Sequence, residues 1–376
     1  MRAGDWILDR SKSTRVLALC LFVLTTCITP FDPELTDETP KLTVEGLITD
    51  QPGPYRVKLS YSTTYTSGNA KSDFTIYDAK VYIKDDLGSE EQLSYTKGGT
   101  YETKADGIRG EVGRSYSVRI ELSDGKVYES VPELLPAVPP IDTIYAEYRD
   151  ISGEFLQGEF DVFVETKDPK DEENYYLWRW NNYERLDFCR IYTVGKPDAG
   201  YITYGTYCCQ KCFDIHNCPG RINIRSDKLF DGNTIARVPL LTFPYDNRLP
   251  YFVEAEQYSL SKAAHEYWQK VKQLTTNSGG VFDKPPITIR GNLHNVSDPD
   301  ERVLGFFGAS GLKTKSAYFS RSGISDHPYR KLVPDIVLDM RFGCLECEEV
   351  TGVRTGVTPA HWDDAPTYYP VILSNN

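Results

Sequence analysis

From Lys41 onward the chain alternates apolar and polar residues in short runs at regular spacing. A period of two puts one face of each segment against a core and the other in water, which is the pattern of antiparallel strands. Leu42–Ile48 and Tyr55–Leu59 flank the turn-forming stretch Asp50-Gln51-Pro52-Gly53-Pro54. Val81–Ile83 leads through Asp85-Asp86-Leu87-Gly88 to Gln92–Tyr95, and Gly99-Thr100-Tyr101 follows. Tyr116, Val118, Ile120 and Leu122 share one face, and Asp124-Gly125 turns the chain onto Val127-Tyr128. About seven such strands over residues 41–131 predict an Ig-like antiparallel β-sandwich. Pro132, Pro136, Pro139 and Pro140 come next. Proline has no N–H to give to a ladder, so residues 132–141 are expected to form a Pro-rich linker.

Residues 142–376 predict a larger β-rich domain. Thr143–Tyr148, Glu159–Thr166, Tyr175–Trp180, Val303–Phe307 and Ala317–Ser320 have strand character. A single helix interrupts them. Leu260, Ala263, Ala264, Tyr267, Trp268, Val271 and Leu274 recur at helical spacing, with Ser259 or Ser261 as the cap and Asn277-Ser278-Gly279-Gly280 as the stop. Its amphipathic stripe is that of a helix packed on a sheet. The expected fold is therefore mainly β, a sandwich followed by a β-rich domain with one packing helix.

The first forty residues have a different character. Arg10, Lys12 and Arg15 precede an apolar run from Val16 to Leu24, long enough for a signal-peptide core and too short to span a bilayer. It ends in Leu24-Thr25-Thr26-Cys27, which resembles the lipobox of a bacterial lipoprotein. Residues 1–26 then form the signal peptide, Cys27 is the lipidation site, and the acidic, Pro-containing stretch 27–40 is a lipid-anchored spacer. An ordinary secretory signal beside a chance cysteine is the alternative. Lys+Arg total 42 against 54 Asp+Glu, a net charge of −12. Removing residues 1–26 takes away four basic and two acidic residues and leaves 38 against 52, or −14. Such acidity suits a solvated surface protein and excludes nucleic acid as a partner.

Nine cysteines are unusual for a reducing compartment, so export changes how they are read. Cys20 leaves with the signal and Cys27 is acylated, which leaves Cys189, Cys208, Cys209, Cys212, Cys218, Cys344 and Cys347 as disulfide candidates, three bridges and one free thiol. Cys209-x2-Cys212 and Cys344-x2-Cys347 also have zinc-knuckle spacing, but an oxidising setting favours disulfides, and neither metal nor cofactor is expected. Carboxylates occur in pairs at Asp85-Asp86, around Asp168 and Asp171-Glu172-Glu173, at Asp298 with Asp300-Glu301 and at Asp363-Asp364. All lie in turn-like segments where acidic side chains serve turn chemistry. Gly-x-Ser-x-Gly is absent, and His265 and His294 have no sequence partner for a triad.

Tyrosine is the compositional outlier at 26 residues. Tyr201, Tyr204 and Tyr207 fall with glycines and cysteines in what reads as a loop, the best candidate for an exposed binding surface; Trp178 and Trp180 are binding candidates that could equally fill a core.

Several ordered segments together carry a resemblance to a known family. They are Leu42–Asp50 soon after the lipobox, Val138-Pro139-Pro140-Ile141-Asp142, the helix from Tyr258 through Trp268, and Asn277–Phe282 before Pro285-Pro286. Gly291-Asn292-Leu293, Val303–Phe307 and Cys344-Leu345-Glu346-Cys347 ahead of Pro359 and Trp362 complete the series. The mature chain resembles the Bacteroidota outer-membrane lipoproteins catalogued as domain of unknown function 4249. Members are often encoded beside TonB-dependent receptors, so the resemblance implies a cell-surface lipoprotein that partners an outer-membrane transporter and captures its cargo. It implies no catalytic residues, and a non-enzymatic role is expected. The alternatives are a surface hydrolase using loop carboxylates and a structural or adhesive module.

Overall fold

The computed structural model describes residues 39–62, 74–151, 158–194, 204–218, 221–276, 289–324, 347 and 354–373. The signal peptide, Cys27, the spacer as far as Glu38, Tyr201 and Cys344 lie outside the described residues, as do the side chains of residues 186–210.

The first strands are β1 (Leu42–Thr49), β2 (Arg56–Tyr61), β3 (Lys80–Asp85), β4 (Glu90–Gln92), β5 (Ser94–Tyr95), β6 (Thr100–Glu102), β7 (Ser115–Glu121), β8 (Val127–Ser130) and β9 (Glu133–Leu134). Next come β10 (Thr143–Arg149), β11 (Glu159–Lys167), β12 (Tyr175–Val194), β13 (Tyr204–Asn217), β14 (Asn223–Ser226), β15 (Thr234–Pro244) and β16 (Tyr251–Ser259). Helix α1 (Lys262–Thr276) is followed by β17 (Leu293–Asn295), β18 (Leu304–Ser310), β19 (Leu312–Phe319), β20 (Arg354–Thr355), β21 (Tyr368–Tyr369) and β22 (Val371–Leu373). The chain is mainly β and sandwich-like. Among the described residues no helix is long and apolar enough to cross a membrane.

Two sheets share the first core. One runs β18-β1-β2-β6-β5 and the other β17-β8-β7-β3-β4, with β9 also on β7. The alternation in β7 is realised directly: Tyr116, Val118 and Ile120 are buried, while the residues between them are half-exposed. Val44, Val57, Leu59, Val81 and Ile83 meet them in the same cluster.

This sandwich is not closed by residues 41–131 alone, contrary to the boundary read from the sequence. β18 lies parallel to β1, from Thr43 opposite Leu304 to Thr49 opposite Ser310, and β17 pairs with β8. Phe307, Ala309 and Leu293 thereby enter the first core from far downstream. The physical reason is the bare edge of β1, whose free N–H and C=O groups need a partner that the first 131 residues do not supply. Gly305 makes the close parallel approach possible. Its φ is +93°, and a Cβ there would stand 1.8 Å from the Val44 carbonyl oxygen.

The second core lies between β15-β11-β10-β22 and β20-β13-β12-β16-β19-β21, with β14 on β12. Ile144, Val162, Val164, Trp178, Val253 and Phe319 are fully or almost fully buried within it. At one end Arg321 is wholly buried, donating to the Leu249 carbonyl at 2.7 Å and pairing with Glu184 at 2.6 Å and Asp246 at 2.9 Å. A buried charge is tolerable only with such complete pairing.

The Pro-rich stretch 132–141 is packed, not a free linker. Leu135 is buried in the first core, while Val138 and Ile141 are buried in the second. Lacking N–H groups at its prolines, the segment uses its carbonyls as acceptors for buried side chains of the second sandwich. Ser259 Oγ donates to Pro136 O at 2.8 Å, Gln257 Nε2 to Pro139 O at 2.8 Å, and Thr166 Oγ1 to Pro140 O at 2.8 Å. Gln257 is fully buried and also accepts from Trp178 Nε1 at 2.8 Å, so one side chain links a core indole to the proline backbone. Where the chain crosses from β18 to β19, Gly311 exchanges hydrogen bonds with Ser259, and a Cβ there would stand 2.8 Å from the Pro136 carbonyl.

Two outcomes follow from these contacts. A fragment ending at Ile141 lacks β17 and β18, so its circular dichroism and proton chemical-shift dispersion should report an unfolded or aggregating chain; a cooperative folded fragment would contradict the shared-core topology. Gln257→Leu strands the Trp178 N–H and the Pro139 carbonyl in the interior, and about 2–4 kcal/mol of stability should be lost in urea unfolding. A loss of less than about 0.5 kcal/mol would show that the network does not hold the junction.

Candidate functional site

Helix α1 sits where the two sandwiches meet. Ser261 caps it, its Oγ accepting the Ala264 N–H at 3.0 Å, and the Ser261 hydroxyl donates in turn to the buried Glu133 of β9. Of the two serines offered by the sequence, Ser261 is thus the cap, and Ser259 serves the Pro136 and Gly311 contacts. Burial pushes the Glu133 carboxyl above its ordinary range. Most of the stripe predicted for the helix faces inward: Ala264 is buried and Tyr267, Trp268, Val271 and Leu274 are half-buried, but Ala263 is exposed, and His265, outside the stripe, is buried beside Ala264. Tyr267 stacks on Phe306 of β18 with ring centroids 4.8 Å apart. With Tyr175, Leu177, Tyr258, Leu260 and Phe306, the helix residues Ala264, Tyr267 and Trp268 belong to a third, smaller apolar cluster.

That cluster opens into a cleft of about 290 Å³. Gly46 and Leu47 of β1 with Phe306, Gly308 and Ala309 of β18 form one side; Leu177, Tyr258 and Leu260 form another, and Ala264 and Trp268 of α1 a third. Small residues at 264 and 308 leave room in it: an added Cβ at Gly308 would meet only Leu47 and Phe306 of the recess, whereas Gly46 and Ala309 line it with backbone and turn toward the first core. The charged residues at the cleft are Arg56, Lys58 and Arg179, against the single carboxylate of Glu45. Arg56 is engaged by Glu102 at 2.7 Å. Arg179, half-buried on β12, places its guanidinium 5.8 Å from the ring centroids of both Tyr258 and Trp268 and makes no ion pair among the described residues. Its cross-strand neighbour Glu256 instead accepts from Asn181 at 3.2 Å and from the Tyr258 hydroxyl at 2.9 Å. The arrangement is an apolar recess with a cation held over aromatic faces, geometry that suits binding.

The residues singled out from the sequence are dispersed. Trp178 is a core residue, 0% exposed, with its N–H satisfied by Gln257, and offers no binding surface. Trp180 is 5% exposed and also packs in the second core, but one part of it lines a second cleft of about 560 Å³ between β11, β15 and the last turn of α1. The expected Tyr/Cys-rich loop is largely a hairpin. β12 and β13 pair from Asn181 opposite Asn217 to Val194 opposite Tyr204, which puts Tyr204, Tyr207, Cys208 and Cys209 on a strand. In that register Ile191 faces Tyr207 and Cys189 faces Cys209. Successive polar and cysteine residues concealed the strand, whose hydrogen bonding comes from its partner and not from apolar alternation. Cys212 and Cys347 form a disulfide that ties β13 to the chain just ahead of β20, so those two sulfurs are not zinc ligands. Cys218 is a half-buried free thiol.

The paired carboxylates do turn and ion-pair work. Asp85 accepts the Leu87 and Ser89 N–H groups, and both Asp85 and Asp86 pair with Arg114 at 2.7 and 2.6 Å. Asp298 accepts the Asp300 N–H and Asp363 the Ala365 N–H. Sequence reading missed one grouping. Asp168, Asp227 and Asp231 bring one carboxylate oxygen each within 4.8 Å of one another, with the first two buried. Their sequence spacing matches no metal loop, so only the fold reveals the set. Oxygen-only donors suit a hard cation. Their present partners are local: Tyr176 hydroxyl on Asp168 at 2.6 Å, Asn174 N–H on Asp227 at 2.7 Å and Asp171 N–H on Asp231 at 2.8 Å. Burial, reinforced by the two neighbouring carboxylates, holds the Asp168 carboxyl above its ordinary range.

A family profile described as Domain of unknown function (DUF4249) matches residues 28–316. The chain belongs to this family. Comparison of this DUF4249 protein with curated proteins finds no match. Among solved structures it is similar to a two-domain fibronectin type-III segment of chicken tenascin, at 13% identity, over 58% of this chain and 91% of that one, with a TM-score of 0.15. So low a score carries no weight beside the strand pairing described above.

The DUF4249 match spans every wall of the cleft beside α1, and one titratable group lies directly behind it. His265 is buried against Tyr175, ring centroids 4.5 Å apart, and burial lowers its pKa below the ordinary histidine value. A histidine with a lowered folded pKa resists protonation in the folded state, so its penalty is absent above the unfolded value near 6.5 and grows as pH falls below it. Thermal unfolding from pH 8 to pH 5 should therefore show the wild type losing stability relative to His265→Phe, which keeps the ring contact and cannot be protonated. Parallel pH profiles for the two proteins would refute the assignment.

Proposed function

We propose that this DUF4249 protein is a non-enzymatic surface lipoprotein, anchored in the outer membrane through acylated Cys27, which partners a TonB-dependent transporter and captures or retains its cargo. One juxtaposition carries the reading: the family match begins at residue 28, immediately after the cysteine of the lipobox-like Leu24-Thr25-Thr26-Cys27. Everything the family shares then lies on the exported side of that cysteine. More than one acyl chain gives durable attachment where a single chain would not. The acidic spacer holds the folded part away from the lipid surface, and net negative charge keeps it off anionic headgroups. The family resemblance supplies the transporter partner, and the apolar recess beside α1, with its single half-buried cation, supports capture over bond-breaking chemistry.

The test has two readouts. The amino-terminal peptide of the mature protein should begin at Cys27 and carry acyl mass, and Cys27→Ala should move the protein from the membrane to the soluble fraction. Affinity recovery from solubilised outer membrane should bring down a barrel receptor in stoichiometric amount. Absence of the receptor, together with a hydrolytic turnover that disappears when one turn carboxylate is changed, would overturn the proposal.

A further inference from the structure

We infer that the cleft beside α1 binds a small apolar-bodied carboxylate, with Arg179 as the group that recognises the anionic head. Three observations carry this. The walls formed by Leu47, Leu177, Leu260 and Phe306 are aliphatic or aromatic, so the body of the ligand is apolar. A volume of about 290 Å³ limits it to a small molecule or the end of a short chain. Arg179 is the cation whose charge is left unanswered: its guanidinium is half-buried over Tyr258 and Trp268, and no carboxylate of the described residues reaches it.

The charge pattern runs against the rest of the molecule. In a chain with a net charge of −12, this mouth presents three cations and one carboxylate. Of the three, Arg56 already pairs with Glu102, and Lys58 is exposed, its ammonium in reach of water. Arg179 alone combines partial burial with a planar donor fork, the shape that matches a carboxylate through two parallel hydrogen bonds. Its guanidinium lies within cation–π range of two rings, 5.8 Å from each centroid, which restricts its orientation before a ligand arrives and lowers the side-chain freedom lost on binding. A neutral ligand would leave that charge desolvated and unpaired, and a cation would be repelled.

Two sources share this chemistry, a free fatty acid and the carboxy terminus of an apolar peptide, and they are separable by probe. The inference deepens the capture reading by naming a cargo class and rests on it for biological role only. Loss of the transporter partner would remove that role and leave binding intact; loss of binding would remove this cargo and leave the partnership standing.

Titration calorimetry on the full mature chain carrying Cys27→Ala, which needs no detergent, compares decanoate with decanol and N-acetyl-leucyl-leucine with its amide. In at least one pair the acid should bind at least about tenfold more tightly than its neutral analogue, the margin expected of a charge-assisted contact. The preference should shrink as salt is raised. Arg179→Gln should reduce it to less than about twofold while the neutral analogue binds as before. Gly308→Leu fills the recess from a position where an added Cβ meets only the Leu47 side chain at 3.3 Å and Phe306 beyond it, and should weaken both members of the pair. Thermal unfolding of each variant accompanies the titration, and a variant that does not unfold cooperatively is replaced by the salt series on the Cys27→Ala chain alone. Equal affinity for acid and neutral forms, no binding by any probe, or a preference that survives in folded Arg179→Gln would overturn the inference. A preference confined to decanoate assigns the site to fatty acids, and one confined to the dipeptide assigns it to peptide termini.

Discussion

The architecture depends on how a backbone poor in N–H groups is buried. Residues 132–141 pass between two apolar cores, and a buried carbonyl without a donor costs about 1–3 kcal/mol. Strand pairing could satisfy these carbonyls in an ordinary segment, but proline at 136, 139 and 140 prevents a continuous ladder. The donors come instead from side chains at fixed positions on β11 and β16: Thr166, Gln257 and Ser259. Because the Gln257 side-chain amide has both a carbonyl oxygen and an NH2, it can accept from Trp178 and donate to Pro139 at the same time. The core of the second sandwich and the exit from the first are thereby one hydrogen-bonded system.

This junction determines what lies around it. Ser259 takes part in the Pro136 contact and the Gly311 crossing, and two residues later Ser261 starts α1. Glu133, from the same Pro-rich stretch, receives the Ser261 hydroxyl and the Asn292 amide. Asn292 also exchanges hydrogen bonds with the Phe307 backbone, which positions β18 for its parallel run along β1. The helix, the crossing strand and the shared sandwich edge are thus set by neighbouring contacts. The cleft is the space left between them, and so its walls come from both sandwiches.

What could be read from the chain was local. β7 alternates cleanly, Asp124-Gly125 makes its turn, and the α1 stripe with its capping serine is visible within fifteen residues, because each depends on neighbours in sequence. The pairing of β1 with β18 was not legible. Val44 and Phe307 are both apolar strand residues, and nothing in either segment specifies a parallel partner some 260 positions away. The proline cluster was read for what it cannot donate, and its role as an acceptor appears only once Gln257 is placed opposite it. The candidate site was harder still. Tyrosine abundance pointed to the hairpin of β12 and β13, whereas the recess is built mainly from small and aliphatic residues that look like ordinary core in sequence. Arg179 sits between Trp178 and Trp180, and only the fold shows that the tryptophans turn to the core while the arginine turns to the cleft.

That alternation also decides what kind of recognition the cleft can provide. A net charge of −12 repels an approaching anion when viewed from a distance, but at physiological salt the repulsion is screened beyond about 8 Å. Inside that range the field is set by the nearest charges and by the local dielectric, and a half-buried guanidinium counts for more than several exposed carboxylates. Acidity of the surface and affinity for a carboxylate are therefore compatible. The surface charge limits the rate at which such a ligand arrives, while the time it stays is governed by Arg179 and the apolar walls. A protein built to retain a ligand until a neighbour takes it needs the second property more than the first.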